Sequence, residues 1–563
     1  MLRPRATPLW VGGRFRSSAT RSGCALLSRL NTKNQTDRFC LQSSLTREWR
    51  ISSTKRNFRA QLVAITRPNK VVLGIRAVFG RGATMSELSA LNFVNVGPNG
   101  TFRASGRLRT NPADIDAIFQ HLSQTESKKL VIHFHGGLVP EATGAATALK
   151  MAKVYSDAGA HPVTFIWETG LIETISRNIN DIGDTKLFQT LLKFLLRQLS
   201  KRLGVDLGGR GSVGKVSDKE VQQQLSKDDP FSDREGKIRA AAEAMDEGEL
   251  KHIEKDMELD LQVDLDADGD FDDISSLPEE EKNRLKPEFR RTVDTRNGKG
   301  ISIAAVAAIL AKAGVRVIRR FMKGRDHGLY TTVVEEILRE LYLADFGAWT
   351  WSGMKTVSSA MWLPNNAPIN EDSYPGSYFI EKLATYQQAN PDLIIDLVGH
   401  SAGSIAICNL FGAMQRRKIQ IEVRNVVFLA PACQSRLMHA EIISQPQRFK
   451  AFRVFTMTDA FEQKDQLVRG VYPRSLLYFI SGVLEEEPDM PIAGMQRFWT
   501  GKAPYVDPYL LDSTAWLGEE GMRRTVLSVI AEGNPGYLSA AEHHGDFDDD
   551  VLTQASLRAI VSA

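Results

Sequence analysis

A serine stands between two glycines in Gly399-His400-Ser401-Ala402-Gly403. Such a run gains meaning from its setting. Before it, Leu393-Ile394-Ile395-Asp396-Leu397-Val398 reads as a buried strand; after it, Ile405-Ala406-Ile407-Cys408 reads as a helix. A serine on so sharp a strand-to-helix turn sits in strained backbone, which is why small residues must flank it. The amino end of the following helix then lies beside any negative charge that develops on a carbonyl oxygen under attack. The chemistry this arrangement suits is nucleophilic attack by an activated hydroxyl.

With these residues the sequence resembles the α/β-hydrolase superfamily, over roughly 128–170 and 370–550. The resemblance implies that Ser401 is the nucleophile. His133-Phe134-His135-Gly136-Gly137-Leu138, directly after an early strand, is similar to the oxyanion loop of lipases and esterases, where glycines let backbone N–H groups approach a substrate oxygen. The implied donors are the N–H groups of Gly137 and Ala402; a third glycine is absent, so Gly136 and Leu138 are alternatives. The superfamily order of serine, acid, histidine then directs attention to the end of the chain. Only His439, His543 and His544 follow Ser401, and the latter two lie in Ala541-Glu542-His543-His544-Gly545-Asp546-Phe547-Asp548. His544 is favoured as general base because a His-Gly-x-Phe loop resembles the family pattern. Asp459, immediately past the strand Phe452 to Met457, is the preferred acid, with Asp465 and Glu462 as rivals that also suit a helix start.

The resemblance implies acyl transfer to Ser401 and hydrolysis of the acyl-enzyme, with a carboxylic ester as the default substrate and a thioester or amide as options. The acyl compound is small, a lipid included, and no metal or organic cofactor is required. An acyltransferase with the same triad and a non-catalytic binding module are the alternatives.

The elements that must position these residues alternate along the chain. Strands are expected at Leu130 to Phe134, Val163 to Trp167, Leu393 to Val398, Val426 to Leu429, Phe452 to Met457 and Thr525 to Ile530, with helices at Ala142 to Ala158 and Tyr378 to Gln388. Short apolar strands separated by helices predict an α/β fold: a mostly parallel sheet covered on both faces. Asn92 to Val96 and Thr101 to Arg109, flanking Gly97-Pro98-Asn99-Gly100, predict a hairpin, and Asn111-Pro112 predicts a helix start. The core is thus expected in two parts, 85–170 and 366–563. Between them, 171–365 forms a large helical, partly acidic insertion, placed as a cap, with a low-order acidic segment over 205–295. Thr332-Val333-Val334-Glu335 has the spacing of a capping box.

Charge is distributed unevenly. Residues 1–70 hold 15 Lys/Arg and two acids, leaving 56 basic against 65 acidic residues in the remainder. Residues 246–281 alone carry 16 acids. The basic block, rich in Arg and Ser, has the composition of a mitochondrial transit peptide; a plastid signal, a disordered tail, or a cytoplasmic product starting at Met85 are the alternatives. Because that block is terminal and carries no reading motif, nucleic acid is not an expected partner. No apolar run approaches a transmembrane span. Four cysteines are too few for a disulfide scaffold, and Cys408 and Cys433 read as buried thiols.

Several other patterns carry less. Gly209 to Lys215 has P-loop spacing, but Val216 replaces the magnesium-binding hydroxyl. Asp264 to Asp270 begins like a calcium loop and has Ser275 at the twelfth position. His133 and His135 lack the further ligands of a metal site, and Asp345-Phe346-Gly347 lacks every kinase companion.

Overall fold

Seven short apolar strands, each followed by a connection that returns over the sheet, can pair only in parallel. In the computed structural model they form one sheet. The residues described are 65–67, 70–72, 88–104, 106–125, 127–137, 140–167, 172–205, 223–224, 227–267, 279–287, 303–342 and 348–563. The chain divides into two units, Met1–Arg81 and Gly82–Ala563. In the first, Ile65–Arg67 pairs antiparallel with Lys70–Val72. All of the expected presequence except 65–67 and Lys70, and also Met85, lie outside the described residues, as do the P-loop-like run, Asp345-Phe346-Gly347 and all but the first residues of the calcium-loop-like run.

The second unit holds the sheet. Its strands are β1 (Phe93–Val96), β2 (Lys129–Phe134), β3 (His161–Trp167), β4 (Ile394–His400), β5 (Val423–Leu429), β6 (Phe449–Met457) and β7 (Thr525–Ser528). They run in the order β1-β3-β2-β4-β5-β6-β7, and every pairing is parallel. Alternate side chains serve opposite faces. Leu130, Ile132 and Phe134 of β2 join the larger core with α1 (Pro112–Gln124), whereas Val131 packs with α2 (Glu141–Ser156). α1 is started by a capping box in which Asn111 and Asp114 satisfy each other's backbone N–H groups.

The insertion is helical: α3 (Ile172–Gly183), α4 (Lys186–Leu203), α5 (Glu235–Glu243), α6 (Glu247–Asp266), α7 (Ile303–Met322), α8 (Leu329–Ile337) and α9 (Ala348–Ala360). Three expectations change here. The acidic segment contains α5 and α6, because Leu250, Met257, Leu261 and Leu265 place an apolar stripe on one face of α6 while its carboxylates occupy the others. Gly314 of α7 lets that stripe approach: a Cβ there would lie 2.5 Å from Met257 Sδ. Thr332 caps no helix, since α8 begins at Leu329, and its hydroxyl instead accepts the N–H of His327. Finally, no hairpin forms at Gly97–Gly100. The run turns back through the Gly97 N–H to Thr101 O bond, but β1 takes its partner from β3, where burial on both faces outweighs local pairing.

The sheet is completed by α10 (Pro375–Ala389) and α11 (Gly403–Arg417) on the larger core and by α12 (Val551–Ser562) on the face of α2. Chain order reverses direction across the β2–β4 boundary: from β2 the chain moves to β3 on one side, from β4 to β5 on the other. In open α/β sheets the carboxyl ends of such a strand pair frame a crevice where ligands bind. Both glycine motifs, at 136–137 and 399–403, end on these two strands. Among the described residues, no helix is long and apolar enough to cross a membrane.

Candidate functional site

β4 ends in the turn that carries Ser401, whose φ is +50°. For a residue with a Cβ this left-handed conformation is unfavourable, so neighbouring bonds must impose it. They do. The Ser401 N–H donates to Leu429 O at 2.8 Å, and the Ser401 carbonyl accepts from the N–H groups of Ala432 and Ser404, each at 3.1 Å, and from Ser404 Oγ at 2.6 Å. The flanking glycines are steric necessities. A Cβ on Gly403 would lie 2.1 Å from Phe134 O, and one on Gly399 would lie 2.8 Å from the Gly403 carbonyl.

His544 reaches this serine from the loop between β7 and α12. Its Nε2 lies 2.9 Å from Ser401 Oγ. Burial first, then the charge of His400, lowers its pKa to about 3. A neutral imidazole with Nε2 unprotonated can accept the serine proton, and its own N–H then sits on Nδ1. That Nδ1 is buried without a partner among the described residues. His543 points the other way: its side chain is 64% exposed and its Nδ1 pairs with Asp465 Oδ1 at 2.8 Å.

The acid candidates separate clearly. Asp459 has no bond to His544; it accepts from Tyr478 OH and from Gln463 Nε2, both at 2.7 Å. The short helix Asp459–Glu462 begins directly at the end of β6 and turns this carboxylate toward Tyr478. Glu462 is fully buried against Ser475, and burial pushes its carboxyl well above the usual range. Asp465, just beyond the helix, is the one that meets the histidine segment: its Oδ2 accepts the backbone N–H of His544 at 3.0 Å.

On the opposite side of Ser401 stand the buried Gly136 and Gly137. A Cβ on Gly136 would lie 3.5 Å from Ser401 Cβ, and one on Gly137 would lie 2.7 Å from Ala402 Cβ. His135 clamps this loop. Its Nδ1 donates to Gly136 O at 2.5 Å, its Nε2 accepts from the Trp167 N–H at 3.3 Å, and its ring stacks on Trp167. With the Gly136 carbonyl tied to His135, the Gly137 N–H of the same trans peptide points away from that ring. No described hydrogen bond engages the N–H of Gly137 or of Ala402. Leu138 lies outside the described residues. Met354 of α9 approaches the Gly137 backbone, and α9 is fixed by Trp351 Nε1 and Lys355 Nζ donating to the buried Glu485 at 2.7 and 2.9 Å. Ser401 and His544 are consequently only 2% and 5% exposed.

Two buried residues join the site without any sequence signal having marked them. His400 Nδ1 bonds Asp548 Oδ2 at 2.8 Å, and His400 Nε2 bonds the carbonyl of His544 at 3.2 Å. The visible clue is spacing: His400 adjoins the serine and Asp548 follows His544 by four residues. Among the described residues, no cluster of three or more His, Cys, Asp or Glu could hold a metal. His133 and His135 are each buried, and burial lowers both to about 4. Comparison of the chain with protein-family models, with curated proteins and with solved structures finds no match.

Proposed function

We propose that the chain is a serine hydrolase of the α/β-hydrolase type that cleaves a carboxylic ester, with thioester and amide as chemically related options. The observation that carries this reading is the 2.9 Å contact between His544 Nε2 and Ser401 Oγ, on a serine held at positive φ just past the carboxyl end of β4, beside β2. Ser401 Oγ attacks the carbonyl carbon as its proton passes to His544 Nε2. The oxyanion is received by the N–H groups of Gly137 and Ala402, at the amino end of α11, where such donors are worth about 10²–10³ in rate. His544 then gives the proton to the leaving alcohol, and a water activated by the same nitrogen releases the acid.

Asp465 takes the role of the acid. Its Oδ2 already accepts the His544 backbone N–H, and turning to the unpartnered Nδ1 of the same residue takes its Oδ1 away from His543. The helices of 171–365 act as a cap, with Met354 as their contact at the Gly137 loop. The basic segment 1–70 acts as a mitochondrial import signal, which an import assay of the full chain tests directly. The activity is tested by labelling with a fluorophosphonate probe. Wild type should label, and Ser401→Ala and His544→Ala should not; full labelling of Ser401→Ala defeats the reading.

A further inference from the structure

Beneath the serine–histidine contact lies a second histidine–aspartate pair. His400 is the residue before Ser401, and Asp548 lies on the loop that carries His544. Both His400 ring nitrogens face acceptors: Nδ1 a carboxylate at 2.8 Å and Nε2 a backbone carbonyl at 3.2 Å. A carbonyl oxygen cannot donate, and an ionised carboxylate cannot either, so both nitrogens must carry protons. The ring is therefore an imidazolium, and its plane lies over that of His544 with centroids 5.6 Å apart.

We propose that His400 and Asp548 are positioning residues for the catalytic histidine. The imidazolium of His400 ties the His544 loop to the nucleophile turn and sets a fixed positive charge against the His544 ring, and Asp548 holds that charge in place. The proposal rests on the serine-nucleophile reading above. Three observations converge on it. The carbonyl that His400 grips belongs to His544 itself, so the pair fixes the backbone from which the general base projects. The pair is buried, with His400 and Asp548 each only 6% exposed, where a charged hydrogen bond is strong and poorly screened. His400 also backs the oxyanion loop, since a Cβ on Gly136 would lie 3.4 Å from its Nδ1.

The surrounding charges are few. On β2, His133 faces Asp548 and is neutral, its Nδ1 bonded to Tyr155 OH at 2.9 Å. His135, after β2, is neutral as well. From α2, Lys150 faces the pair but spends its charge on Asp549. Tyr155, also on α2, is kept protonated by burial. Asp548 is thus the anion that supports His400, and its effect outweighs burial to raise the His400 pKa. Burial does most to lower the His544 pKa, and the charge of His400 adds to it. A general base kept unprotonated at neutral pH is the functional result.

The test has two arms. In wild-type protein carrying ¹⁵N-labelled histidine, His400 should keep both ring protons to a pH above the ordinary histidine value of about 6.5. A His400 already neutral at that value overturns the proposal, and this arm needs no variant to fold. In the second arm, the rate of fluorophosphonate labelling at Ser401 is followed by brief pH jumps from about pH 3 to about pH 8 for wild type, His400→Gln and His400→Gln/Asp548→Asn. Removing the cation but leaving the Asp548 anion raises the His544 pKa. The acid limb, near 3 in wild type, should then move up by about one to two pH units, which slows labelling about five- to fiftyfold at about pH 3. Removing both charges should bring the limb back. Slowing that is equal at every pH marks a purely structural role and overturns the proposal, as does an unmoved limb. Wild type that fails to label at Ser401 defeats the underlying reading instead, whatever the state of His400.

Discussion

Replacing Asp465 by Asn tests which carboxylate serves His544. The change keeps the side-chain shape and an oxygen that can still accept the His544 N–H, now at 3.0 Å, while removing the negative charge. When His544 takes the serine proton it becomes an imidazolium. A carboxylate turned to within about 4 Å of the ring, at an effective dielectric near 20, would stabilise that cation by about 4 kcal/mol. At about 1.4 kcal/mol per tenfold, losing it should slow the acylation of Ser401 about 10³-fold. The companion variant is Asp459→Asn. Asp459 bonds Tyr478 and Gln463 rather than His544, so its loss should change labelling by less than about threefold, consistent with a neutralised charge at a distance. The assay is the second-order rate of fluorophosphonate labelling at about pH 8, with melting temperatures measured in parallel. Near-wild-type labelling of Asp465→Asn beside a collapse in Asp459→Asn would refute the assignment. Equal, large losses in both, without unfolding, would show that the acid acts through the wider polar network rather than by direct contact.

Further outcomes follow from the same geometry. Ser401→Gly should be more stable than Ser401→Ala by about 1 kcal/mol, read from denaturant midpoints, because glycine accepts the +50° φ that alanine does not. Gly137→Ala should fold normally yet lose labelling by about 10²-fold, since its Cβ would meet that of Ala402 at 2.7 Å and displace the donor. Arg320→Met should destabilise by about 3–5 kcal/mol in urea unfolding: Arg320 is buried between Glu335 and Glu336 at 2.7 and 3.2 Å, and its loss leaves the buried Glu336 without that cation while Glu335 keeps His327 and Tyr472. Stability should fall as pH drops from about 6.5 toward 4, because His133, His135 and His544 titrate near 4, 4 and 3 when folded and about 6.5 when unfolded. The unfolded chain binds these extra protons, while the buried carboxyls of Glu235 and Glu462, raised by burial, release theirs. The net uptake at about pH 5 should therefore be positive but smaller than the three histidines alone would give, measurable from the slope of stability against pH.

The strands that carry the site were legible because each is a short, continuous apolar run: Leu130 to Phe134 and Leu393 to Val398 differ from β2 and β4 by only a residue or two at their ends. The glycines at 399 and 403 were legible for the same local reason, since a tight strand-to-helix turn leaves no room for a Cβ. What depended on distant partners was not. Phe93–Val96 is a strand, but its partners lie 71 residues away in β3 rather than across the Gly97–Gly100 turn. α6 was hidden under its own charge, which counts acids without regard to face. Asp459 and Asp465 could not be separated because one turn of helix after β6 decides which carboxylate comes round to the histidine loop. The His400–Asp548 contact spans 148 residues and obeys no periodicity.

The near-complete enclosure of Ser401 has a kinetic consequence. On the proposed reading, a serine with this little exposed surface meets a bulky reagent only in the fraction of molecules that have opened, and the observed rate is then the chemical rate multiplied by that fraction. Reagents of equal reactivity but different bulk should then rank by size. A slow reaction with a large probe reports a closed door rather than an inert serine, and mild loosening by dilute denaturant should speed the reaction before it destroys the fold. Conditions that populate the open form will therefore govern which substrates this chain is seen to accept.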